Sequence, residues 1–183
     1  MPFAVGGGIT TLKQISQIIN AGGEKVILNT SAVKHPLFIK EASKEFGSST
    51  IVVSIDVKKN IFGKQVVRIM GGSQSTSYCP IEFAELAEKM GAGEFIINSI
   101  DNDGLMNGYD IELVKKVSTA VKIPVIALGG AGNVEHLKQG IELGHASAVA
   151  AGSLFIYHGP RKAVLINYPK QKDLSNLFKE YYD

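Results

Sequence analysis

Three aspartates follow directly on short apolar runs of the sequence, where a carboxylate can serve as a general acid or base. Asp56 ends the run TIVVSID, and Asp101 and Asp103 lie just beyond EFIINSI. If these runs are parallel strands, their carboxyl ends meet at one edge of the sheet and the acids face a common reaction site. Asp56 is the preferred catalytic candidate because the run before it is very apolar, whereas helix capping or loop solvation explains Asp103 equally well.

Two glycine turns, Gly7–Gly8 and Gly129–Gly130, are the second feature suited to chemistry. At the end of a strand, a Gly-Gly turn lets backbone N–H groups point at an anion, and the next helix adds the positive end of its dipole. Together the two turns predict two phosphate sites and a substrate that carries two phosphates. The alternative is that each pair is only a tight turn between a strand and a helix.

These residues lie within a regular alternation of apolar runs and amphipathic segments, which is typical of βα units and a parallel sheet. The predicted strands cover residues 2–5, 25–29, 50–56, 94–100, 124–128 and 147–151. The predicted helices cover residues 11–21, 36–46, 80–90, 110–120, 133–143 and 173–183. Residues 64–78 break the rhythm and predict a small hairpin with a polar loop over one end of the sheet.

The two glycine turns belong to an internal repeat with an offset of 122 residues. Gly22 and Gly144 each follow the first glycine of their turn by 15 residues, and each copy then has a second strand that ends in small polar residues. Two half-barrels with this offset would form a (β/α)8 TIM barrel of about 244 residues, which is a typical size. The six βα units therefore predict a single, partial TIM-barrel domain over residues 1–183.

By this arithmetic the chain lacks about the first two βα units of the barrel, or roughly 60 to 80 residues before Met1. A mis-assigned start or a split gene explains this more simply than a natural fragment. We expect two unpaired strand edges and partial exposure of the core. An open, doubly wound sheet of six strands is the competing architecture.

Composition excludes several classes of protein. The chain of 183 residues has a formal net charge of +2 and no basic block, which argues against a nucleic-acid binder. Its one cysteine, Cys79, excludes an internal disulfide and a Cys-rich zinc site, and fits a reducing, cytoplasmic setting. No apolar run reaches 18 residues, so we expect no membrane span, and no motif predicts a metal or a cofactor.

Lys25 and Glu94 open their predicted strands, at positions where apolar residues would be expected. The amino ends of the strands form the floor of a barrel. Two interpretations stay open: the charges are solvated strand ends, or they pair across the floor.

Several segments resemble the cyclase subunit of imidazole glycerol phosphate synthase: VGGGI, GGEKVILNTSAV, IVVSIDVKK, GAGEFIINSIDNDGLMNGYDIEL, PVIALGGAGNVEH and AVAAGSLF. The resemblance implies a duplicated (β/α)8 barrel and a heterodimer with a glutaminase subunit, whose ammonia passes through the barrel. It implies that the ammonia reacts with ribulosyl-formimino aminoimidazole carboxamide ribonucleotide, a small substrate with two phosphates. The products are imidazole glycerol phosphate, in histidine biosynthesis, and the aminoimidazole carboxamide ribonucleotide, and no cofactor is implied.

The same resemblance assigns roles to individual residues. Asp56 matches one of two catalytic aspartates, and Asn29 matches an active-site asparagine. Lys25 and Glu94 match part of a charged gate at the ammonia entrance. The resemblance assigns Gly8 and Thr30 to one phosphate site, and Asp103, Gly104, Gly130, Gly152 and Ser153 to the other.

Two departures from the family pattern leave alternatives open. The other catalytic aspartate lies on a first strand that this sequence lacks, so we expect the 183-residue chain alone to have no cyclase activity. The segment HGPRKAVLINYPKQKDL, together with Leu128, resembles a paralogous branch from surface-polysaccharide loci. That branch delivers ammonia to an amidotransferase that acts on an N-acetylated sugar. Drift at tolerant positions is the alternative explanation of both features, and the two branches stay equally open.

Two further functions compete with the cyclase. The sister barrel, a phosphoribosyl isomerase of the same pathway, shares the phosphate turns and the strand-end aspartates. It needs no ammonia, so Lys25, Glu94 and the run GLMNGYD argue against it. A non-enzymatic scaffold would dock a glutaminase and pass ammonia onward without any chemistry at Asp56.

Overall fold

A computed structural model of the chain describes residues 2–159 and 162–179. The strands are β1 (Ala4–Gly6), β2 (Lys25–Leu28), β3 (Ile51–Lys59), β4 (Gln65–Ile69), β5 (Gln74–Ser75), β6 (Glu94–Ser99), β7 (Val125–Leu128), β8 (Ala148–Val149), β9 (Tyr157–His158) and β10 (Ala163–Val164). The helices are α1 (Leu12–Asn20), α2 (Thr30–Lys34), α3 (Leu37–Phe46), α4 (Pro80–Lys89), α5 (Ile111–Ala120), α6 (Val134–Glu142), α7 (Ser153–Ile156) and α8 (Gln171–Leu177).

The parallel strands of the main sheet lie side by side in the order β1, β2, β3, β6, β7, β8. A doubly wound sheet reverses its strand order at a switch point, whereas a barrel adds each new strand beside the preceding one. The order here has no reversal, which confirms the TIM-barrel type of architecture and excludes the doubly wound alternative. Within the described residues, β1 pairs only with β2 and β8 pairs only with β7, so both edges of this sheet are open.

Several short elements are absent from the predicted pattern. Helices α2 and α7 have five and four residues, too few to show the 3.6-residue periodicity that reveals a helix in sequence. The strands β9 and β10 form an antiparallel pair of two residues each. Helix α8 begins two residues before the predicted span 173–183, and residues 180–183 of that span lie outside the described part of the chain.

The predicted hairpin over residues 64–78 forms as β4 and β5. β4 also pairs antiparallel with the second half of β3, where Asp56 lies opposite Arg68 and Lys59 lies opposite Gln65. β3 therefore extends beyond its predicted span of 50–56, because its last residues pair with the hairpin. The hairpin stands at the carboxyl end of β3, beside the candidate catalytic aspartate.

The two faces of the parallel sheet differ in chemistry. Ile55 and Phe95 are fully buried among the apolar residues of the core. Asp56 and Asn98 are register partners on β3 and β6 and are only half-buried. Because successive strand residues point to opposite faces, Asp56 and Asn98 lie together on the inner face, away from this core.

The internal repeat is visible in the way two helices begin. The Thr11 side chain accepts the N–H of Gln14 at 3.3 Å at the start of α1. The Asn133 side chain accepts the N–H of His136 at 2.9 Å at the start of α6. Both pairs of residues are related by the offset of 122 found in the sequence. The two copies thus make the same N-cap hydrogen bond with different residues, Thr11 and Asn133.

Residues 2–159 and 162–179 contain neither a membrane-spanning helix nor a cluster of metal-ligating side chains. No helix there is long and apolar enough to cross a membrane. No group of three or more His, Cys, Asp or Glu residues in that part of the chain has the arrangement of a metal site.

Candidate functional site

A cleft of about 540 Å³ opens at the carboxyl ends of β1, β2 and β3. The tip of the hairpin, residues 70–71, forms part of its wall. The cleft brings together four residues that the sequence predicted for chemistry: Gly8, Asn29, Thr30 and Asp56. We take it as the candidate active site because a catalytic carboxylate and a candidate phosphate turn border the same space.

Asp56 lines the cleft and is held by two polar side chains. The Ser54 hydroxyl donates to Asp56 Oδ1 at 3.0 Å, and the Asn98 amide donates to the same oxygen at 3.4 Å. Among the described residues nothing donates to Asp56 Oδ2. One oxygen therefore positions the carboxylate, and the other is available for proton exchange with a bound molecule.

Asn29 and Thr30 form a second hydrogen-bonded unit of the cleft. Asn29 Nδ2 donates to the Ser54 carbonyl at 3.0 Å, which fixes the side-chain amide. The Thr30 hydroxyl donates to Asn29 Oδ1 at 3.2 Å and accepts the Met70 N–H at 3.0 Å. The hairpin tip is thus tied to Thr30, and an anion that binds the Thr30 hydroxyl must redirect its proton away from Asn29.

The first glycine turn is open. Gly7 and Gly8 have φ angles of +113° and +67°, which glycine adopts at low cost. A Cβ added at either glycine would meet no atom within 4 Å. The N–H groups of Gly8 and Ile9 donate to no group in the described part of the chain. The first turn therefore combines space with available backbone donors, as an anion site requires.

The second glycine turn is closely packed. Gly129 and Gly130 also have positive φ angles, +86° and +112°. A Cβ at Gly130 would lie 2.1 Å from the Gly108 carbonyl oxygen, and one at Gly129 would lie 2.7 Å from Asn98 Oδ1. Packing alone therefore accounts for these two glycines, and the phosphate role of Gly130 stays a prediction.

The remaining residues predicted for the second phosphate site lie on the loops beyond β6 and β8. Asp103 and Gly104 are exposed after β6, and Gly152 is exposed just before Ser153, the first residue of α7. None of the four lines the cleft described above. Lys162 donates to the Gly104 carbonyl at 3.1 Å and so brings a cation to this rim. The phosphate role of the four residues stays a prediction.

Side chains accept the N–H groups that lie just before the helices behind both glycine turns. Gln14 Oε1 accepts the N–H groups of Thr10 and Thr11 at 2.9 and 3.1 Å at the start of α1. His136 Nδ1 accepts the N–H of Gly132 at 3.1 Å at the start of α6. The dipole of each helix remains, but the N–H groups of Thr10, Thr11 and Gly132 are already bonded to these side chains.

Lys25 and Glu94 form an ion pair, with 2.8 Å between Nζ and Oε2. They open β2 and β6, which lie on either side of β3, so the pair spans one strand at the end of the sheet opposite Asp56. The pairing predicted as one alternative is therefore present. With side-chain exposures of 40% and 16%, solvent screens the pair, and it stabilises the fold by about 1 kcal/mol at most. A gating role stays a prediction.

Tyr109 braces the rim beside the second turn. Its hydroxyl donates to the Ala150 carbonyl at 2.9 Å and joins the segment before α5 to the end of β8. Burial raises the pKa of Tyr109. The phenol therefore stays neutral at physiological pH and keeps its proton for this hydrogen bond.

Three polar residues near Asp56 were missed by the sequence reasoning: Ser54, Asn98 and Arg68. Ser54 and Asn98 interrupt apolar strands on the same face as Asp56, and this alternation is a signal that could have found them. Asn98 Oδ1 is buried and has no hydrogen-bond partner in the described part of the chain. Its acceptor is a spare polar group beside the candidate catalytic carboxylate.

The βα units follow one another in sequential order, which defines an α/β protein of the TIM-barrel type. Its cleft, lined by glycines and an aspartate, lies at the carboxyl ends of the strands, where TIM barrels carry their active sites. The family described as "Histidine biosynthesis protein" matches residues 1–160. The chain therefore belongs to this family.

Named relatives agree with the family assignment. The "Putative imidazole glycerol phosphate synthase subunit HisF" of Leptospira borgpetersenii is 43% identical over 179 residues, which cover 97% of this chain and 70% of that protein. The protein of the same description from Leptospira interrogans is 42% identical over the same shares. The "Imidazole glycerol phosphate synthase subunit HisF" of Prochlorococcus marinus (strain NATL1A) is 49% identical over 156 residues, which cover 84% of this chain but 61% of that protein.

Proposed function

We propose that the chain is the cyclase subunit of an imidazole glycerol phosphate synthase, a lyase of histidine biosynthesis. It would use ammonia from a glutaminase partner to convert ribulosyl-formimino aminoimidazole carboxamide ribonucleotide to imidazole glycerol phosphate. Identities of 42% to 49% with relatives named HisF support this proposal. The observation that carries it is Asp56, held by one oxygen, in a cleft that also contains Gly8, Asn29 and Thr30.

In this proposal Asp56 moves protons at the reacting centre through Oδ2, the oxygen that accepts no hydrogen bond among the described residues. Ser54 and Asn98 donate hydrogen bonds to the other oxygen, Asp56 Oδ1, and so fix the orientation of the carboxylate. Asn29 borders the same space, with its amide held on the Ser54 carbonyl. A positioned carboxylate of this kind contributes about 100-fold to 10,000-fold to a rate.

The two phosphates of the substrate would bind at the two rims of the site. The open first turn and the available N–H groups of Gly8 and Ile9 support a phosphate beside Thr30. The second phosphate would bind on the loops beyond β6 and β8, where Gly152 lies 122 residues after Thr30 in the repeat. Exposure favours Gly104 and Gly152 as its backbone donors over Gly130, which is buried.

The Lys25–Glu94 pair supports an entrance for ammonia at the amino end of the sheet. It lies at the end opposite Asp56, so a molecule that entered there would travel along the inner face to reach the cleft. A glutaminase subunit would dock at this end and release ammonia next to the pair.

The test is ammonia-dependent formation of imidazole glycerol phosphate by the protein isolated from its own cells. We expect Asp56→Asn to lower turnover by about 100-fold or more, because asparagine keeps the size of the side chain but exchanges no proton. Glu85→Gln is the matched control, since Glu85 is an exposed carboxylate on α4. That variant should turn over like the wild type.

Each competing function gives a different result in the same assay. Turnover that is unchanged in Asp56→Asn would contradict the proposal, and a pathway that this variant leaves intact in cells would indicate a scaffold. Ammonia-independent isomerisation of a phosphoribosyl substrate would identify the sister barrel. Stimulated glutaminase without any imidazole product from the wild type would favour the sugar-amidotransferase branch.

A further inference from the structure

Arg68 is a cation beside the candidate active site to which the sequence motifs gave no role. It lies opposite Asp56 in the antiparallel pairing of β4 with β3. Residues that face each other in such a ladder project to the same side of the sheet. The next pair, Val57 and Val67, is buried on the opposite side. Arg68 therefore shares the inner side of the sheet with Asp56.

The Arg68 guanidinium is anchored but its charge is not paired. Its Nε donates to the Gly72 carbonyl at 3.1 Å, and the residue is half-buried. Among the described residues no carboxylate forms an ion pair with Arg68. The N–H groups of its two terminal nitrogens have no acceptor in that part of the chain, and their parallel geometry suits a phosphate or a carboxylate.

A phosphate in the cleft needs a compensating cation. Asp56 is the one charged side chain among the described residues that line the cleft, and it is negative. A phosphate beside Gly8 would therefore share the cleft with a carboxylate that repels it. Arg68 does not itself line the cleft, but its guanidinium is tied to Gly72, directly after the hairpin residues 70–71 that form the wall. From there its charge can offset this repulsion.

We propose that Arg68 binds the substrate phosphate at the first glycine turn, through a bidentate contact between its terminal nitrogens and two phosphate oxygens. This inference rests on the proposed function, because it takes one phosphate end of the substrate as the ligand. The hairpin then contributes a cation to this phosphate site, in addition to the donors of Gly8 and Thr30.

Isothermal titration calorimetry tests the proposal by measuring the binding of inorganic phosphate to the purified 183-residue chain. We expect Arg68→Gln to raise the Kd about tenfold, and Arg68→Lys to raise it less because the charge remains without the fork. Lys58→Gln is the matched control, since it removes an exposed charge from the same face of β3. That variant should change the Kd by less than about twofold, because solvent screens an exposed charge.

Thr30→Val separates failure of this inference from failure of the proposed phosphate site. If Thr30→Val weakens phosphate binding and Arg68→Gln does not, the first-turn site stands and the role of Arg68 is overturned. An equal loss in Lys58→Gln also overturns it, since the effect would then be one of general charge. If the wild type binds no phosphate, both the site and the role of Arg68 are overturned. Unchanged thermal midpoints without phosphate show that the variants fold.

Discussion

The two glycine turns are copies in sequence but opposites in packing. Both have positive φ angles at both glycines. A Cβ at Gly8 would meet nothing within 4 Å, whereas a Cβ at Gly130 would lie 2.1 Å from the Gly108 carbonyl oxygen. The first turn opens into the cleft with Asp56, and the second is buried against the loop of residues 102–108.

The difference shows that this repeat preserves a backbone conformation and not a single role. Positive φ explains the glycines of both turns. At the second turn, lack of space is an additional reason for glycine, because a side chain there would displace a neighbouring loop. At the first turn no such steric reason exists, so the free space around Gly8 strengthens the argument for a ligand there.

The largest effect is expected from Gly130→Ala, which tests the packed turn. Alanine would combine a strained φ of +112° with a clash against the Gly108 backbone. We expect a loss of about 3 kcal/mol or more in the free energy of unfolding, measured by urea denaturation. Gly8→Ala is the matched variant, and it should lose only about 1 kcal/mol because its cost is conformational alone. Equal losses would remove the contrast between the turns.

A smaller effect is expected from Asn102→Ala, which removes a support of the packed turn. Asn102 Nδ2 donates to the Gly108 carbonyl at 3.0 Å. Loss of this donor leaves a buried carbonyl unpaired, so we expect a decrease of about 1 to 2 kcal/mol in the same urea experiment. Asn20→Ala, at the exposed end of α1, should stay within about 0.5 kcal/mol of the wild type. A neutral Asn102→Ala would mean that the loop does not depend on this bond.

The smallest effect is expected from Tyr109→Phe, and it depends on pH. At neutral pH the free energy of unfolding of the variant should be about 1 kcal/mol lower, because the hydrogen bond to Ala150 is lost. Burial raises the folded-state pKa of Tyr109, while the unfolded phenol titrates near about 10. The unfolded wild type therefore releases this proton first, and wild-type stability falls as pH rises above about 10.

The phenylalanine variant has no such proton to release. The difference in the free energy of unfolding between wild type and Tyr109→Phe should therefore decrease from pH 9 to 11. Above the pKa of the unfolded phenol, it decreases by up to about 1.4 kcal/mol per pH unit. Tyr168→Phe is the control, because Tyr168 is 65% exposed. A difference of constant size would show that Tyr109 titrates alike in the folded and unfolded chains.

Most of the frame could be predicted from the sequence, because buried parallel strands and amphipathic helices leave clear patterns. The repeat then favoured a barrel, and the strand order without reversal confirms that type. These sequence patterns did not reveal elements that are very short, or the length of a strand that depends on pairing with another strand. Helix α2 is shorter than two turns, and the extension of β3 to Lys59 depends on a partner strand that lies in the hairpin.

Parts of the candidate site were predictable for a different reason. Asp56 follows directly from its place at a strand end, because such ends meet at one edge of a parallel sheet. The role of Asn29 was assigned by resemblance alone. The contact between Lys25 and Glu94 joins residues 69 positions apart, so it was one of two open alternatives until the strand order was known. Arg68 could not be found from the sequence, because its place opposite Asp56 depends on the register of an antiparallel pair.

The hairpin between β3 and α4 has a consequence for how such a site can diversify. It joins the frame through the ladder with β3, the bond from Met70 to Thr30 and the bond from Gln65 to Asp110. The parallel strands keep their order whatever the length of this insertion. Natural selection, or a protein engineer, can therefore exchange the hairpin as a module and alter which molecules the cleft admits, while the inherited scaffold stays the same.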